Sequence, residues 1–236
     1  MSDAEAIVYL NGAFVPIRDA KISVLDRGFI FGDGVYEVIP AYGREPFRMP
    51  HHLARLAHSC DGIGLANPHA DAEWERLVRE LIARQPFDDQ AVYLQVTRGV
   101  AKRDHAFPKG AAPTVFMMSN PLPSPTREQV ERGVAAITAE DNRWQRCDLK
   151  TTSLLGNVLM RQLAAEAGAV ETVMFRDGLL TEASASNVLV VKGGTIVAPP
   201  KDHLILPGIT YDAAIEFARE AGMLVEIRPI TRAEAL

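Results

Sequence analysis

The sequence predicts an α+β fold in two domains. Three observations carry that reading. Apolar residues recur at strand spacing and at helix spacing in both halves of the chain. Three prolines crowd into Pro121-Leu122-Pro123-Ser124-Pro125, a composition hostile to a helix interior or a central strand. The length, 236 residues, suffices for two small cores. The expected division is an N-terminal α+β domain over 1–120, a linker over 121–125 and a C-terminal α/β domain over 126–236.

The N-terminal domain opens with a hairpin, Ile7 to Leu10 and Ala13 to Ile17, turning on Asn11-Gly12. Lys21 to Pro46 reads as extended and glycine-punctuated. Two helices follow. Leu53, Leu56, Ala57 and Cys60 share the inner face of one, and Trp74, Leu77, Val78, Leu81 and Ile82 that of the other. Val92, Leu94 and Val96 alternate as a strand, and Thr114 to Met118 reads as another.

Beyond the prolines, strands and helices alternate. Val134 to Ala139 is an expected strand, and Ser153 to Ala167 a helix with Gly168 past its end. Val170 to Arg176 is a strand turning at Asp177-Gly178. Val188 to Lys192 and Thr195 to Ala198 form a hairpin over Gly193-Gly194. Thr210 to Ala221 is a helix with Thr210 as its N-cap and Gly222 as its stop, and Leu224 to Arg228 is a final strand. A last helix begins near Thr231. No internal repeat interrupts this order.

Composition narrows the function classes. The chain is 47% hydrophobic and 23% charged, with a net charge of −5, and its two signs are mixed, so neither nucleic acid nor an anionic membrane is an expected partner. No apolar run approaches membrane-spanning length, and the polar stretch Met1 to Ala6 lacks a signal-peptide core. Cys60 and Cys147 stand in unrelated segments, so no disulfide scaffold and no metal-ligand spacing is expected. These features imply a cytoplasmic protein. Dinucleotide-binding, phosphate-loop, zinc-protease and nucleophile-elbow motifs are all missing from the sequence.

Several residues could carry chemistry, and each also has a plainer reading. Lys150, in Asp148-Leu149-Lys150-Thr151-Thr152-Ser153, precedes a helix. It is either a solvated surface lysine or an amine awaiting a carbonyl partner. Glu182, in Thr181-Glu182-Ala183-Ser184-Ala185-Ser186-Asn187, belongs to a polar turn, or is a carboxylate at a strand end able to pair with a protonated ring nitrogen. Leu206-Pro207-Gly208-Ile209-Thr210 opens a helix whose free N–H groups suit a phosphate. Arg55 lies on the polar face of a helix, or clamps a phosphate with two prongs. Arg103 and His105 sit on a polar segment after a strand, as a solvated loop or as donors for a carboxylate.

Taken in order, these segments resemble one family. The run Asp26-Arg27-Gly28-Phe29-Ile30-Phe31-Gly32-Asp33-Gly34-Val35-Tyr36-Glu37-Val38 is similar to the N-terminal signature of fold-type IV pyridoxal-phosphate (PLP) enzymes. The likeness continues through His52-Leu53-Ala54-Arg55-Leu56, Thr97-Arg98-Gly99, the Lys150 segment, Thr181 to Asn187, and Leu206 to Thr210. The family includes D-amino acid aminotransferases, branched-chain aminotransferases and aminodeoxychorismate lyase.

The resemblance implies that Lys150, in the C-terminal domain, bears the cofactor covalently and then moves the substrate α-proton. It implies that Glu182 pairs with the pyridine nitrogen. Arg55 and the backbone of Ile209 and Thr210 would hold the phosphate, and Arg143 would stand near the ring hydroxyl. Arg103 and His105, completed by Tyr36, resemble the carboxylate trap of D-amino acid aminotransferases. In that family the loop reaches the neighbouring subunit's site, which implies a homodimer. The implied reaction is ping-pong amino transfer from a D-amino acid such as D-alanine to a 2-oxo acid such as 2-oxoglutarate.

Two positions depart from the family pattern. Pro40 stands where D-amino acid enzymes carry a lysine, so side-chain preference is expected to differ. Family members also continue past the helix that starts near Thr231, so the chain is expected to be truncated, or to lack a phosphate-holding tail and retain PLP more weakly. The alternatives are an L-branched-chain or aromatic aminotransferase, an aminodeoxychorismate lyase, a PLP-binding protein without turnover, and a generic α+β binding module.

Overall fold

In the computed structural model, which describes residues 5–236, the chain forms two compact units. One comprises 5–124 together with Leu149–Ser153, and the other Pro125–Asp148 together with Leu154–Leu236. Residues 1–4, part of the polar N-terminal stretch, lie outside the described residues. Among the described residues no helix is long and apolar enough to cross a membrane, and no group of three or more His, Cys, Asp or Glu could hold a metal ion.

The first unit is built on an antiparallel sheet of six strands: β1 (Ile7–Leu10), β2 (Ala13–Pro16), β3 (Gly34–Tyr42), β4 (Glu45–Pro46), β5 (Gln90–Thr97) and β6 (Thr114–Pro121), in the order β2-β1-β6-β5-β3-β4. Alternation sorts its faces. Val35, Ile39 and Ala41 of β3 and Val92, Leu94 and Val96 of β5 are buried against α2 (Met49–Gly62) and α3 (Asp71–Ala83). The helices answer with Leu53, Leu56 and Cys60, and with Trp74, Leu77, Val78, Leu81 and Ile82. Both helix faces are those expected from spacing. Each fully buried large aliphatic residue contributes about 1.5–3 kcal/mol to this core.

The stretch Lys21 to Pro46 is not wholly extended. It contains the short helix α1 (Arg27–Phe31), started by Asp26, whose side chain accepts from Gly28 N, and ended by Gly32 in a left-handed conformation. Five residues are too few to register as a helical period. Asp26 is buried and also accepts from Thr97 Oγ1 at 2.8 Å and Thr114 Oγ1 at 2.6 Å, which ties α1 to β5 and β6. Strand β6 runs on to Pro121, because a proline at the last ladder position removes little pairing.

The second unit holds two three-stranded sheets. One is β7 (Ala136–Glu140), β8 (Glu171–Arg176) and β9 (Leu179–Ala183); the other is β10 (Val190–Lys192), β11 (Thr195–Ala198) and β12 (Leu224–Ile227). Two further elements go beyond the sequence-based expectation. The helix α4 (Arg127–Arg132) follows a capping box made by Thr126 and Gln129. Strand β9 takes in Thr181 and Glu182, whose polar surroundings suggest a turn. The parallel pairs β7/β8 and β11/β12 are joined by α5 (Leu155–Glu166) and α6 (Ile209–Glu220), the crossovers that parallel strands require. At the start of α6 the cap is Gly208 rather than Thr210, which lies inside the helix. A final short helix, α7 (Arg232–Ala235), is capped by Thr231.

The segment Leu149–Ser153 is expected in the C-terminal domain, but it clusters with the first unit. The reason is local bonding. Tyr36 N donates to Lys150 O at 2.9 Å, Thr152 N donates to Gly34 O at 3.0 Å, and Thr151 bridges Val35.

Gly99 adopts φ +86°, and a Cβ there would collide with the carbonyl oxygen of Ala112. Gly99→Ala is therefore expected to lower unfolding free energy by about 2 kcal/mol or more, read from urea denaturation. A loss under about 0.5 kcal/mol would show that the backbone relaxes freely there.

Candidate active site

Lys150 is held by its backbone. Its N–H donates to Ser59 Oγ of α2 at 3.0 Å, while its carbonyl accepts from Tyr36 of β3. On either side, Leu149 fills the space over Gly62, and Thr152 Oγ1 donates to Gly32 O at 2.9 Å. A Cβ at Gly62 would collide with Leu149 Cδ2, so this close approach requires glycine. The amine, Nζ, lies 4.2 Å from the centroid of the Tyr36 ring. That ring stacks on Tyr93 at 5.6 Å, on the sheet face away from the helices. Burial, with Tyr36 adding to it, pushes the Tyr93 hydroxyl up to about 12, so it stays protonated and donates to Gln95.

On the helix-covered face of β3, the next residue is Glu37, fully buried. Its carboxylate takes two prongs of Arg55, Nε at 2.7 Å and Nη2 at 2.8 Å, and lies 2.8 Å from His52 Nδ1. Burial pushes the Glu37 carboxyl up, but Arg55 and His52 together outweigh it and hold the group below the usual carboxylate range. Arg55 is thus oriented by a buried counter-ion that the sequence reading does not assign.

Arg103 and His105 lie on the exposed segment between β5 and β6 and gather on one ring. The Arg103 guanidinium is 5.4 Å and the His105 ring 5.5 Å from the centroid of Phe31. Tyr36, expected to complete the carboxylate contacts, stacks on Tyr93.

In the second unit, Glu182 is buried near the end of β9. Its Oε1 accepts from Arg143 Nη1 at 2.6 Å, and its Oε2 from Asn187 Nδ2 at 3.1 Å and Leu206 N at 3.0 Å. Burial pushes the Glu182 carboxyl above the usual range by more than Arg143 pulls it down. Arg143 is shared with Asp141, which accepts from its Nε at 3.0 Å and Nη2 at 2.9 Å and from Thr181 Oγ1 at 2.9 Å. Helix α6 begins at Gly208 with no side-chain cap, and Ile209 and Thr210 are its first two residues. A Cβ at Gly208 would collide with Asn187 Oδ1, so the glycine leaves room for the asparagine that steadies Glu182.

Six of the expected residues fall into three pairs: Lys150 with Tyr36, Arg103 with His105, and Glu182 with Arg143. Arg55 joins Glu37, and Ile209 and Thr210 open α6. Sequence reading misses Glu37, His52, Ser59, Asp141 and Asn187. Glu37, His52 and Asn187 stand inside the segments that carry the family likeness, without a role assigned to them, and Ser59 and Asp141 carry no signal of their own.

The first unit thus holds a lysine fixed by its backbone, and the second a buried carboxylate braced by arginine and a helix start with no side-chain cap. Comparison with known proteins gives the family. The family model for amino-transferase class IV matches residues 34–236. The D-alanine aminotransferase of Bacillus licheniformis is 41% identical over 229 residues, covering 97% of this chain and 81% of that protein. Among solved structures, the Escherichia coli branched-chain amino acid aminotransferase superposes with a TM-score of 0.90 at 25% identity, over 97% of this chain and 79% of that one. A hypothetical aminotransferase from Mycobacterium tuberculosis, in its PLP-bound form, superposes with a TM-score of 0.84 at 25% identity, over 97% and 83%. The chain belongs to the class IV aminotransferases, and its α+β architecture is that of fold-type IV.

Asp33, Glu37 and Asp141 are all held below the carboxylate range in the folded chain; for each, burial is the largest influence but is outweighed by arginine partners and the other groups that donate to it. A lowered folded pKa stabilises the fold above the unfolded value, about 4, and that stability is lost as pH falls through the folded value. Glu182, whose pKa is raised, runs the other way. With three groups against one, the urea midpoint should hold between about pH 7 and 5 and drop below about pH 4. A level midpoint down to about pH 2.5 would contradict the pairing.

Proposed function

We propose that this enzyme moves the amino group of a D-amino acid such as D-alanine to a 2-oxo acid such as 2-oxoglutarate, using PLP, and acts as a homodimer in the cytoplasm. The observation that carries the reading is the likeness, over nearly the whole chain, to a D-alanine aminotransferase.

The residues present fit the cofactor. A buried carboxylate with a raised pKa gains by having a cation beside it, so Glu182 suits a protonated ring nitrogen. The start of α6, with no side chain capping it, offers the N–H groups of Ile209 and Thr210 to a phosphate. Arg55 adds a guanidinium, and Lys150 would hold the group covalently. Arg143, braced by Asp141, stands against the Glu182 carboxylate and would face the ring hydroxyl. When bound, the cofactor supplies an electron sink for the carbanion left when the α-proton departs.

The rest of the work belongs to the chain. Lys150 Nζ would take the α-proton from the amino donor and pass it on within the same half-reaction, and in the second half-reaction would deliver a proton to the α-carbon of the acceptor. The Tyr36 ring lies beside that amine, 4.2 Å from Nζ to the ring centroid. Arg103 and His105 bind the substrate carboxylate, and a fixed carboxylate decides which α-hydrogen faces the base. The two half-reactions use these residues in turn, which gives ping-pong kinetics. The homodimer reading is supported by Leu155, Val158, Leu159 and Leu163, which leave an exposed apolar stripe on α5 suited to a second copy.

The structural likeness to branched-chain enzymes favours a second reading, transfer from an L-branched-chain amino acid. The cofactor absorbance of the PLP-loaded enzyme separates the two. D-alanine alone should bleach the visible band, and 2-oxoglutarate should restore it. Bleaching by L-leucine alone would establish the second reading instead. Lys150→Ala should lower turnover at least about 1,000-fold. Near-normal turnover would remove Lys150 from its role.

A further inference from the structure

The loop over 101–113 has no regular secondary structure and is largely exposed, yet it is tied to buried groups at several points. Arg27, 3% exposed, donates from Nε to Asp33 Oδ2 at 2.7 Å. Its Nη1 donates to the carbonyls of Asp104 at 2.5 Å and Ala106 at 3.3 Å, and its Nη2 to that of His105 at 3.5 Å. Asp33 is shared with Arg98, which donates from Nε at 2.8 Å and from Nη2 at 3.0 Å. Arg98 in turn reaches the carbonyls of Ile63 and Gly64 and lies 3.6 Å from the centroid of the Phe107 ring. Phe31 completes the arrangement: one ring meets Arg27 at 4.8 Å, Arg103 at 5.4 Å and His105 at 5.5 Å.

An exposed loop would otherwise sample many conformations, and ordering Arg103 and His105 at the moment of substrate binding would weaken that binding. We propose that Arg27 and Phe31 are positioning residues that hold the 101–113 loop so that Arg103 and His105 are set for the substrate carboxylate before substrate arrives. Arg27 fixes the backbone of the loop through three consecutive carbonyls. Phe31 fixes its side chains, because the π face attracts a guanidinium and packs an imidazole. Neither residue touches the reacting atoms. The inference rests on the reading of Arg103 and His105 as carboxylate contacts.

Two conservative variants test it, alongside Arg103→Ala. Phe31→Leu keeps an apolar side chain but removes the π face. Arg27→Lys keeps a charge near Asp33 but replaces the planar fork with a point donor. Each should raise KM for D-alanine roughly tenfold while leaving kcat within about threefold. In the Arg103→Ala background, Phe31→Leu should raise KM by less than it does in the wild-type chain, since the part of its effect that runs through Arg103 is already lost. A second readout needs no turnover: trypsin should cut after Lys102, Arg103 and Lys109 faster in Phe31→Leu and Arg27→Lys than in the wild-type chain.

Wild-type KM and wild-type cleavage in both variants, with KM raised in Arg103→Ala, would overturn the inference and leave the carboxylate reading standing. Unchanged KM in Arg103→Ala would remove the carboxylate reading itself, and the inference with it. A lowered melting temperature with kcat and KM both degraded would mark the two residues as ordinary packing, which also overturns it.

Discussion

Two hydrogen bonds of its main chain decide where the Lys150 side chain starts. Lys150 gives its N–H to Ser59 and takes the N–H of Tyr36 on its carbonyl, so the residue is pinned at both ends of its main chain. A lysine side chain carries large rotamer freedom, and a fixed origin is the first condition for using it as a base. The surroundings serve that condition. Gly62 lets Leu149 settle close to α2, Thr152 binds the carbonyl of Gly32, and Ser59 is itself fully buried. Small and hydroxyl-bearing residues recur there because a close backbone approach leaves no room for anything larger.

A second regularity is the way charge is kept inside. Asp33, Glu37 and Asp141 are each met by arginine, and each arginine is committed to a local partner: Arg27 and Arg98 to Asp33, Arg55 to Glu37, Arg143 to Asp141. A buried ion is costly unless paired in good geometry, and the planar guanidinium provides that geometry. Glu182 differs. Its partner Arg143 is shared with Asp141, and burial leaves its carboxyl above the ordinary range.

Much of the fold is legible in the sequence. The inner faces of α2 and α3 follow from the spacing of Leu53, Leu56 and Cys60 and of Trp74 to Ile82, because burial against a sheet imposes one apolar stripe. The first hairpin follows from Asn11-Gly12. What escapes are elements too short for periodicity, α1 and α4, although Asp26 and Thr126 are visible caps. Among site residues, Lys150, Glu182 and Arg55 come from ordered likeness to a family, not from local pattern. The pairing of Arg55 with Glu37 and of Arg143 with Glu182 stays hidden, since contacts across 18 and 39 positions leave no trace in local spacing.

The five residues Leu149–Ser153 belong to the first unit although the chain has by then already entered the second. On a ribosome, which releases the chain from its N-terminus, the sheet and helices of residues 5–124 emerge well before the strip that covers Gly32, Gly34 and Gly62. The first unit therefore reaches its finished form only after the opening segments of the second have been made. A gene cut at the proline-rich boundary would yield an N-terminal fragment with an uncovered seam along β3 and α2. The strip around Lys150 thus ties the maturation of one half of the molecule to the synthesis of the other.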